Sequence, residues 1–248
     1  MNSESPIPYG SDIYTEPDGD ADTLANLGPL AAMAGIWEGT MGSDEHPVAS
    51  GTEHDTFVER YEAQPIDRQT NGPQLLYGLR YHTHIVRPGE VETFHDQVGY
   101  WLWEPAAETV TLTLAIPRGQ VLLASGPATA TATEFELRAA RGDTTFGIAS
   151  NPFLDESFRT TSYRMHVQVH GDGTWSYEEE GVMEIAGRDE PYHHIDRNTL
   201  RRIAAPTPNP LAAQAQQRAA VASVDDDSLG IGGLRGVAQQ STSDSRSS

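Results

Sequence analysis

The sequence predicts an all-β protein, an antiparallel up-and-down barrel of about ten strands with a short helix before the first strand. Three observations carry this prediction: short segments that alternate apolar and polar residues, closely spaced turn sequences, and no helical segment between the strands. A barrel is favoured over a sandwich because every predicted strand has a sequential neighbour with which it can pair, as in a meander. A barrel of this size can hold one small ligand.

The helix is predicted over residues 21–35, ADTLANLGPLAAMAG. Leu24, Leu27, Leu30 and Met33 recur there at helical spacing, and Gly35 is suited to end the helix. These apolar residues are therefore expected to pack against the barrel. The patterned segments that follow all have the period of a strand.

The clearest strands are TVTLTLAI, residues 109–116, and RMHVQVH, residues 164–170. Each alternates apolar residues with polar ones, so that one face is suited to a core. Turn sequences such as RPGE, EPAAE, ARGD and HGDGTW separate the strands. The remaining strands are predicted at residues 36–40, 56–63, 75–86, 97–104, 120–125, 134–139, 144–149, 174–185 and 193–203.

Both ends of the chain are predicted to be disordered. Residues 1–24 form an acidic tail, and residues 205–248 are a low-complexity tail rich in Pro, Ala, Gln, Gly and Ser. Such segments bury too little apolar surface to offset the loss of backbone entropy on folding. A short helix over residues 211–221 is favoured by the Ala and Gln residues there, and the folded domain is predicted to span residues 25–204.

The charge of the chain excludes some partners. A net charge of −20 and a pI near 4.6 argue against nucleic acid and anionic membranes, because both need a basic surface. The chain contains no Cys, so disulfides and thiolate chemistry are excluded. The N-terminal residues do not resemble a secretory signal, and no apolar run is long enough to span a membrane. We therefore expect a cytoplasmic protein that binds a small molecule.

Histidines are the strongest candidates for chemistry. His193 and His194 are adjacent in a predicted strand, so one of them faces the interior and the other faces solvent. An inward imidazole in a mostly apolar cavity is what haem iron needs as an axial ligand. Four aromatic residues near His95 are candidates for lining such a pocket: Phe94, Tyr100, Trp101 and Trp103.

Two other functions are consistent with the same residues. His82 and His84 lie two apart on one strand face, and with His95 and Glu90 they suggest a cupin-like metal-dependent enzyme. The match is poor because Glu90 follows a Pro-Gly turn. The remaining alternative is a haem-free carrier, in which the aromatic residues line an apolar cavity for a lipophilic molecule.

Several segments together resemble one family. LAAMAGIWEGTMG, residues 30–42, is similar to the Gly-x-Trp-x-Gly-x-Gly opening of the nitrobindins, although Met41 stands at the third glycine and Gly42 follows it. FHDQVGYWLWEP, LTLAIPRGQVLLASG and the terminal Leu-Arg-Arg resemble later motifs in the same order. Nitrobindins are lipocalin-like haem proteins that include the THAP4-type domain, and the resemblance covers residues 28–203.

The resemblance implies a barrel that holds ferric haem b near its mouth and isomerises peroxynitrite to nitrate. It implies a late-strand histidine as the proximal iron ligand, for which His194 is the first choice and His193 the second. It places His95 in the distal pocket, and Trp37 and Trp101 become candidate cofactor-binding residues. Ferric iron would act as a Lewis acid toward an anionic oxidant.

One departure from the family pattern leaves the identity of the iron ligand open. Counted from Pro191 and from Leu200, the family's proximal histidine falls on Ile195. A one-residue slip reverses the face of a strand, so either a bulge turns His194 inward or His193 points inward. A third alternative is that the axial ligand is absent and the barrel binds another molecule.

Overall fold

The computed structural model describes residues 8–229, and the side chains as far as residue 221. The chain begins with helix α1 (Thr23–Asn26) and a 3-10 helix (Gly28–Met33) where one longer helix was predicted. The interruption follows from Gly28, which has a φ of 55°, and from the proline that comes next. Leu27, Leu30 and Met33 are fully buried, as their spacing predicted.

Twelve strands follow, and each of the predicted strands is present. The strand that sequence reasoning missed is β3, which has three residues, and the missed helix is α2 (Pro152–Ser157). The strands are β1 (Gly35–Val48), β2 (Gly51–Pro65), β3 (Gln69–Asn71), β4 (Gln74–Val86), β5 (Thr93–Glu104), β6 (Thr109–Ile116), β7 (Gln120–Pro127), β8 (Glu134–Arg141), β9 (Gly147–Ser150), β10 (Phe158–Val169), β11 (Thr174–Ile185) and β12 (Tyr192–Ala204).

Eleven of these strands close into a barrel, which confirms the predicted all-β barrel fold. The sheet order is β2-β1-β12-β11-β10-β8-β9-β7-β6-β5-β4-β3, and the pairing of β2 with β4 closes it. Most neighbours follow one another in sequence; β1 pairs with β12, β2 with β4, and β8 with β10 without being consecutive. All pairs are antiparallel except β8–β9, where β9 lies between β7 and β8 and runs parallel to β8.

The apolar core lies inside the barrel. Its largest fully buried side chains include three tryptophans, Trp37, Trp101 and Trp175. The ring of Trp37 meets that of Trp175 edge to face, with centroids 6.2 Å apart. The residues of the N-terminal helical segments pack in the same cluster, so this part of the interior is filled by side chains.

A bulge in β1 explains the displaced glycine of the opening motif. The pairing of β1 with β2 shifts by one residue between Gly39 and Gly42. A Cβ atom at Gly42 would lie 2.2 Å from the ring of Phe57, and one at Gly39 would lie 2.3 Å from Nδ2 of Asn198. The bulge therefore turns Gly42 toward Phe57 and leaves Met41 exposed.

Some residues that flank the barrel make polar contacts with it. In the described part of the N-terminal tail, the hydroxyl of Tyr9 contacts Glu104, and the backbone N of Asp20 donates to the hydroxyl of Tyr77 at 3.1 Å. These contacts are polar, so the low content of apolar residues in this tail does not exclude them. Residues 1–7 lie outside the described residues.

The predicted helix over residues 211–221 is part of a longer helix, α3 (Pro210–Leu229). Before α3, Nδ2 of Asn209 donates to Oδ1 of Asp67 at 2.7 Å. The barrel unit ends at Ala212. Residues 230–248 lie outside the described residues, and none of the described helices is long and apolar enough to cross a membrane.

Candidate functional site

The barrel encloses a cavity of about 490 Å³, a volume typical of small-molecule sites. Much of its wall is apolar, formed by side chains from β4, β6, β7 and β10: Ile85, Leu114, Ile116, Leu122 and Met165. Three more apolar residues come from α2 and the residue that follows it: Phe153, Leu154 and Phe158. Of these, Phe153 is 65% exposed, so the cavity reaches solvent beside α2.

The cavity also has an acidic part, which sequence reasoning did not predict. Four carboxylates line it: Asp44, Glu59, Glu179 and Asp196. Arg118 is the one arginine among the lining residues in the described chain. Burial disfavours the charged form of each acid, so the charge of this part of the cavity depends on the partners of each carboxyl group.

His194 faces the cavity, and its neighbours in β12 do not. From Tyr192 to Arg201, β12 pairs with β11 without a register shift, so the inward positions are His194, Asp196, Asn198 and the buried Leu200. Ile195, the position that the family frame indicated, lies on the outward side of the strand. No bulge in β12 is needed, because the alternation that buries Leu200 also turns His194 inward.

His193 lies on the outer surface. Its side chain is 58% exposed, and its Nδ1 lies 2.7 Å from Oε1 of Glu180. Nε2 of His194 lies 2.6 Å from Oδ1 of Asp44 and 3.5 Å from Oδ2 of Asp196. The two adjacent histidines are thus separated by the barrel wall, with His194 on the cavity side.

Asp44 is the centre of a histidine–carboxylate network. Its Oδ2 lies 2.5 Å from Nδ1 of His46. Burial alone would raise the pKa of Asp44, but hydrogen bonds with His194, Asp196 and His46 outweigh it and lower the pKa to about 2. Burial, together with the Glu179 and Asp44 carboxylates, raises the pKa of Asp196 well above its usual range. The shared environment therefore shifts the pKa values of the two carboxyl groups in opposite directions.

Two further groups on the wall have shifted pKa values. Burial lowers the pKa of His95, so its imidazole is neutral at neutral pH, and its Nε2 lies 3.3 Å from Oε1 of Gln97. Nε2 of Gln97 in turn donates to the hydroxyl of Tyr81 at 2.9 Å. His95 thus presents a neutral, oriented ring to the cavity. The second group is Glu179, whose pKa burial raises to about 7.

Trp37 and Trp101 lie in the core, outside the lining of the cavity. Nε1 of Trp37 donates to the carbonyl of Met33 at 2.8 Å, and the guanidinium of Arg202 stacks 4.6 Å from its ring. Nε1 of Trp101 donates to the hydroxyl of Tyr61 at 2.5 Å. Because Tyr61 lines the cavity, Trp101 contacts the cavity wall through Tyr61 and does not line the cavity itself.

The histidines of the cupin-like alternative are not brought together. His82 and His84 share a face, as predicted, but it is the outer face, where His82 contacts Asp96 and His84 contacts Thr93. His95 lies inside the barrel. The prediction of a cupin-like site is therefore wrong, because alternation along β4 directs both imidazoles away from the cavity.

Glu59 is the most buried of the four carboxylates and makes a complete set of hydrogen bonds. Its Oε1 accepts from Thr83 at 3.0 Å, and its Oε2 accepts from Tyr177 at 2.9 Å and from Asn198 at 2.8 Å. The side chain of Asn198 lies over Gly39, where a Cβ atom would collide with it. Gly39 of the opening motif therefore leaves the space that Asn198 needs to donate to Glu59.

The fold and this site together define a ligand-binding β-barrel with imidazoles on the wall of an internal cavity. Residues 26–202 match the model of the THAP4-like, heme-binding beta-barrel domain. The chain therefore belongs to the THAP4-like haem-binding β-barrel family, which confirms the resemblance noted in its sequence.

Comparison with other proteins adds support for the fold. The crystal structure of Rv2717c from M. tuberculosis is similar to this chain, with a TM-score of 0.51 and 22% sequence identity. The match covers 73% of this chain and 96% of that one, and at this identity it shows the fold alone. No curated protein matches the sequence significantly.

Proposed function

We propose that the cavity binds haem b with His194 as the axial ligand of the iron. The observation that carries the proposal is the position of His194, an imidazole on the cavity wall of a barrel whose family binds haem. His193, the second choice from the sequence, points away from the cavity and contacts Glu180. His194 is thus the better candidate of the two.

The surroundings of His194 allow it to coordinate haem iron on one condition. Its Nε2 contacts Asp44, so coordination through this nitrogen requires that contact to be given up. Asp44 would keep its contact with His46, so that the buried carboxylate does not lose all its partners. The apolar wall formed by Leu114, Leu122 and Met165 would exclude water from a macrocycle.

We further propose that His95 belongs to the distal pocket and that peroxynitrite is the substrate. Bound ferric haem would supply a Lewis-acidic iron for an anionic oxidant. His95 is held by Gln97 and is neutral at neutral pH, so it can donate or accept a hydrogen bond next to the ligand. Phe153 of α2 and Phe158, which follows α2, would limit the access of water.

Titration of the purified protein with hemin tests the proposal. We expect a Soret shift that saturates at one equivalent, is lost in His194→Ala and is kept in His193→Ala, because only His194 reaches the cavity. The two variants are matched, since they remove adjacent imidazoles from opposite faces of one strand. The absence of a saturable shift in the wild type would refute haem binding, and loss in His193→Ala alone would refute the ligand assignment.

A haem-free carrier remains the second candidate because of the continuous apolar wall. Such a carrier would hold a lipophilic small molecule against Ile85, Leu114, Leu122 and Met165. An apolar fluorescent probe distinguishes the two functions. If the probe binds inside the barrel and hemin does not saturate, the carrier is the function.

A further inference from the structure

Three metal-binding side chains meet at one point of the cavity wall. Ligand atoms of Asp44, His194 and Asp196 all lie within 4.8 Å of one another, and all three residues line the cavity. His194 and Asp196 are two apart on β12, and Asp44 pairs directly with Asp196 across the β1–β12 ladder. Because one pair of hydrogen-bonded strands carries all three, their relative positions are fixed by the backbone.

The two carboxylates lack a cationic partner. In the described residues, no arginine lies within 4 Å of either Asp44 or Asp196, and the basic side chains in contact with them are His46 and His194. Like charges directly opposite each other on neighbouring strands are destabilising, so the pair needs a bound proton or a bound cation between them.

The outer face of these two strands and of their neighbours β11 and β10 shows the opposite arrangement. There Arg197 contacts Glu45 at 3.2 Å and Glu178 at 2.8 Å, and Arg164 contacts Glu180 at 3.1 Å. The missing countercharge is therefore confined to the cavity side. This contrast is independent of the donor geometry and points to a cation at the same place.

The donor set indicates which cation fits. One imidazole nitrogen and two carboxylate oxygens are ligands for borderline divalent metals such as zinc, manganese and ferrous iron. His46, whose Nδ1 contacts the second oxygen of Asp44, would orient that carboxylate from the outer coordination sphere. The open side of the three residues faces the cavity, which leaves room for water or a ligand on the metal.

A second cluster is less suitable. Asp44, His46 and Asp55 also have ligand atoms within 4.8 Å of one another. Asp55, however, already accepts hydrogen bonds from Arg87 at 2.7 and 3.0 Å. A metal there would have to displace a guanidinium, whereas Asp196 has no such partner.

We infer that Asp44, His194 and Asp196 form a binding site for a divalent first-row transition-metal ion on the cavity wall. The site does not depend on haem binding, but it uses the same nitrogen of His194 that the proposed function assigns to haem iron. A metal ion and haem therefore exclude each other, and the haem-free barrel is the form that takes the metal.

Titration of the metal-free full chain with Co²⁺, followed by absorption, and with Zn²⁺, followed by calorimetry, tests the inference. We expect one equivalent to bind, with affinity reduced at least about 10- to 100-fold in Asp196→Asn. Asp55→Asn is the matched control and should bind as the wild type does. Thermal unfolding of each variant confirms that it is folded. No saturable binding by the wild type, or equal affinity in Asp196→Asn, overturns the inference.

Competition separates this inference from the proposed function. If hemin binds and Zn²⁺ does not, the metal site is refuted and haem binding stands. If Zn²⁺ binds and hemin does not, the metal site stands and haem binding is refuted. If both bind, Zn²⁺ at saturation should raise the hemin concentration needed for half-saturation, and full occupancy by both together refutes the shared role of His194.

Discussion

Replacing Trp101 with alanine is expected to lower the free energy of unfolding by about 3–5 kcal/mol, the usual cost of truncating a buried tryptophan. Trp101 is 1% exposed, and its ring packs against Phe135 and Tyr81, with centroids 6.3 and 6.2 Å away. The change would leave a void in the core and remove the donor to Tyr61. Chemical denaturation followed by circular dichroism measures the loss.

The neighbouring residue provides the control. Tyr100 lies on the outward side of β5 and is 42% exposed, so Tyr100→Ala should change the free energy of unfolding by no more than about 0.5 kcal/mol. Trp101→Phe should fall between the two, because it retains most of the ring and loses the bond to Tyr61. Equal stabilities for Trp101→Ala and Tyr100→Ala would contradict the assignment of Trp101 to the core.

Replacing Glu59 with alanine is expected to lower the free energy of unfolding by about 2–4 kcal/mol, because three buried donors lose their acceptor. These donors are Thr83, Tyr177 and Asn198. Glu59→Gln is the matched variant, since its amide keeps the shape and can still accept from two of the donors. The measurement is again denaturation, and equal losses in the two variants would show that the hydrogen bonds do not matter.

The pH dependence of this effect has a definite sign. Burial raises the pKa of Glu59 above its usual value of 4.5, despite its three hydrogen bonds. A carboxyl with a raised folded-state pKa contributes stability that is present in full below the unfolded pKa and is lost as the pH rises through the folded pKa. We therefore expect the free energy of unfolding of Glu59→Gln to rise relative to that of the wild type as the pH is raised above 4.5. A difference in the free energy of unfolding that stays constant with pH would contradict this.

The strands could be predicted because each alternates apolar and polar residues, and a wrong register would expose the apolar face. TVTLTLAI and the segment over residues 174–185 match β6 and β11 at both ends. α2 was missed although its signal is local: Asn151 caps it and Pro152 occupies its first turn. A helix of six residues is too short to show a helical period in the sequence.

The site was only partly predictable. His194 and His95 were identified, but their carboxylate neighbours were not, because Asp44 and Asp196 are distant in sequence and meet through the β1–β12 pairing. Glu59 has the strand parity of the buried Phe57 and Tyr61, so a strict count along β2 would have turned it inward. An acidic residue is ordinarily assigned to the surface, since a buried charge is costly without partners. Those partners come from three other strands.

Helix α2 contributes Phe153 and Leu154 to the side of the cavity that reaches solvent. It has six residues, and its N-terminus is held by Asn151, whose side chain accepts from Leu154 and donates to the carbonyl of Arg118. A helix this short has little stability of its own, so it can open without unfolding the barrel. Exchange of a bulky ligand should therefore follow the opening rate of α2, and residence time can be changed at Asn151 without touching any residue that binds the ligand.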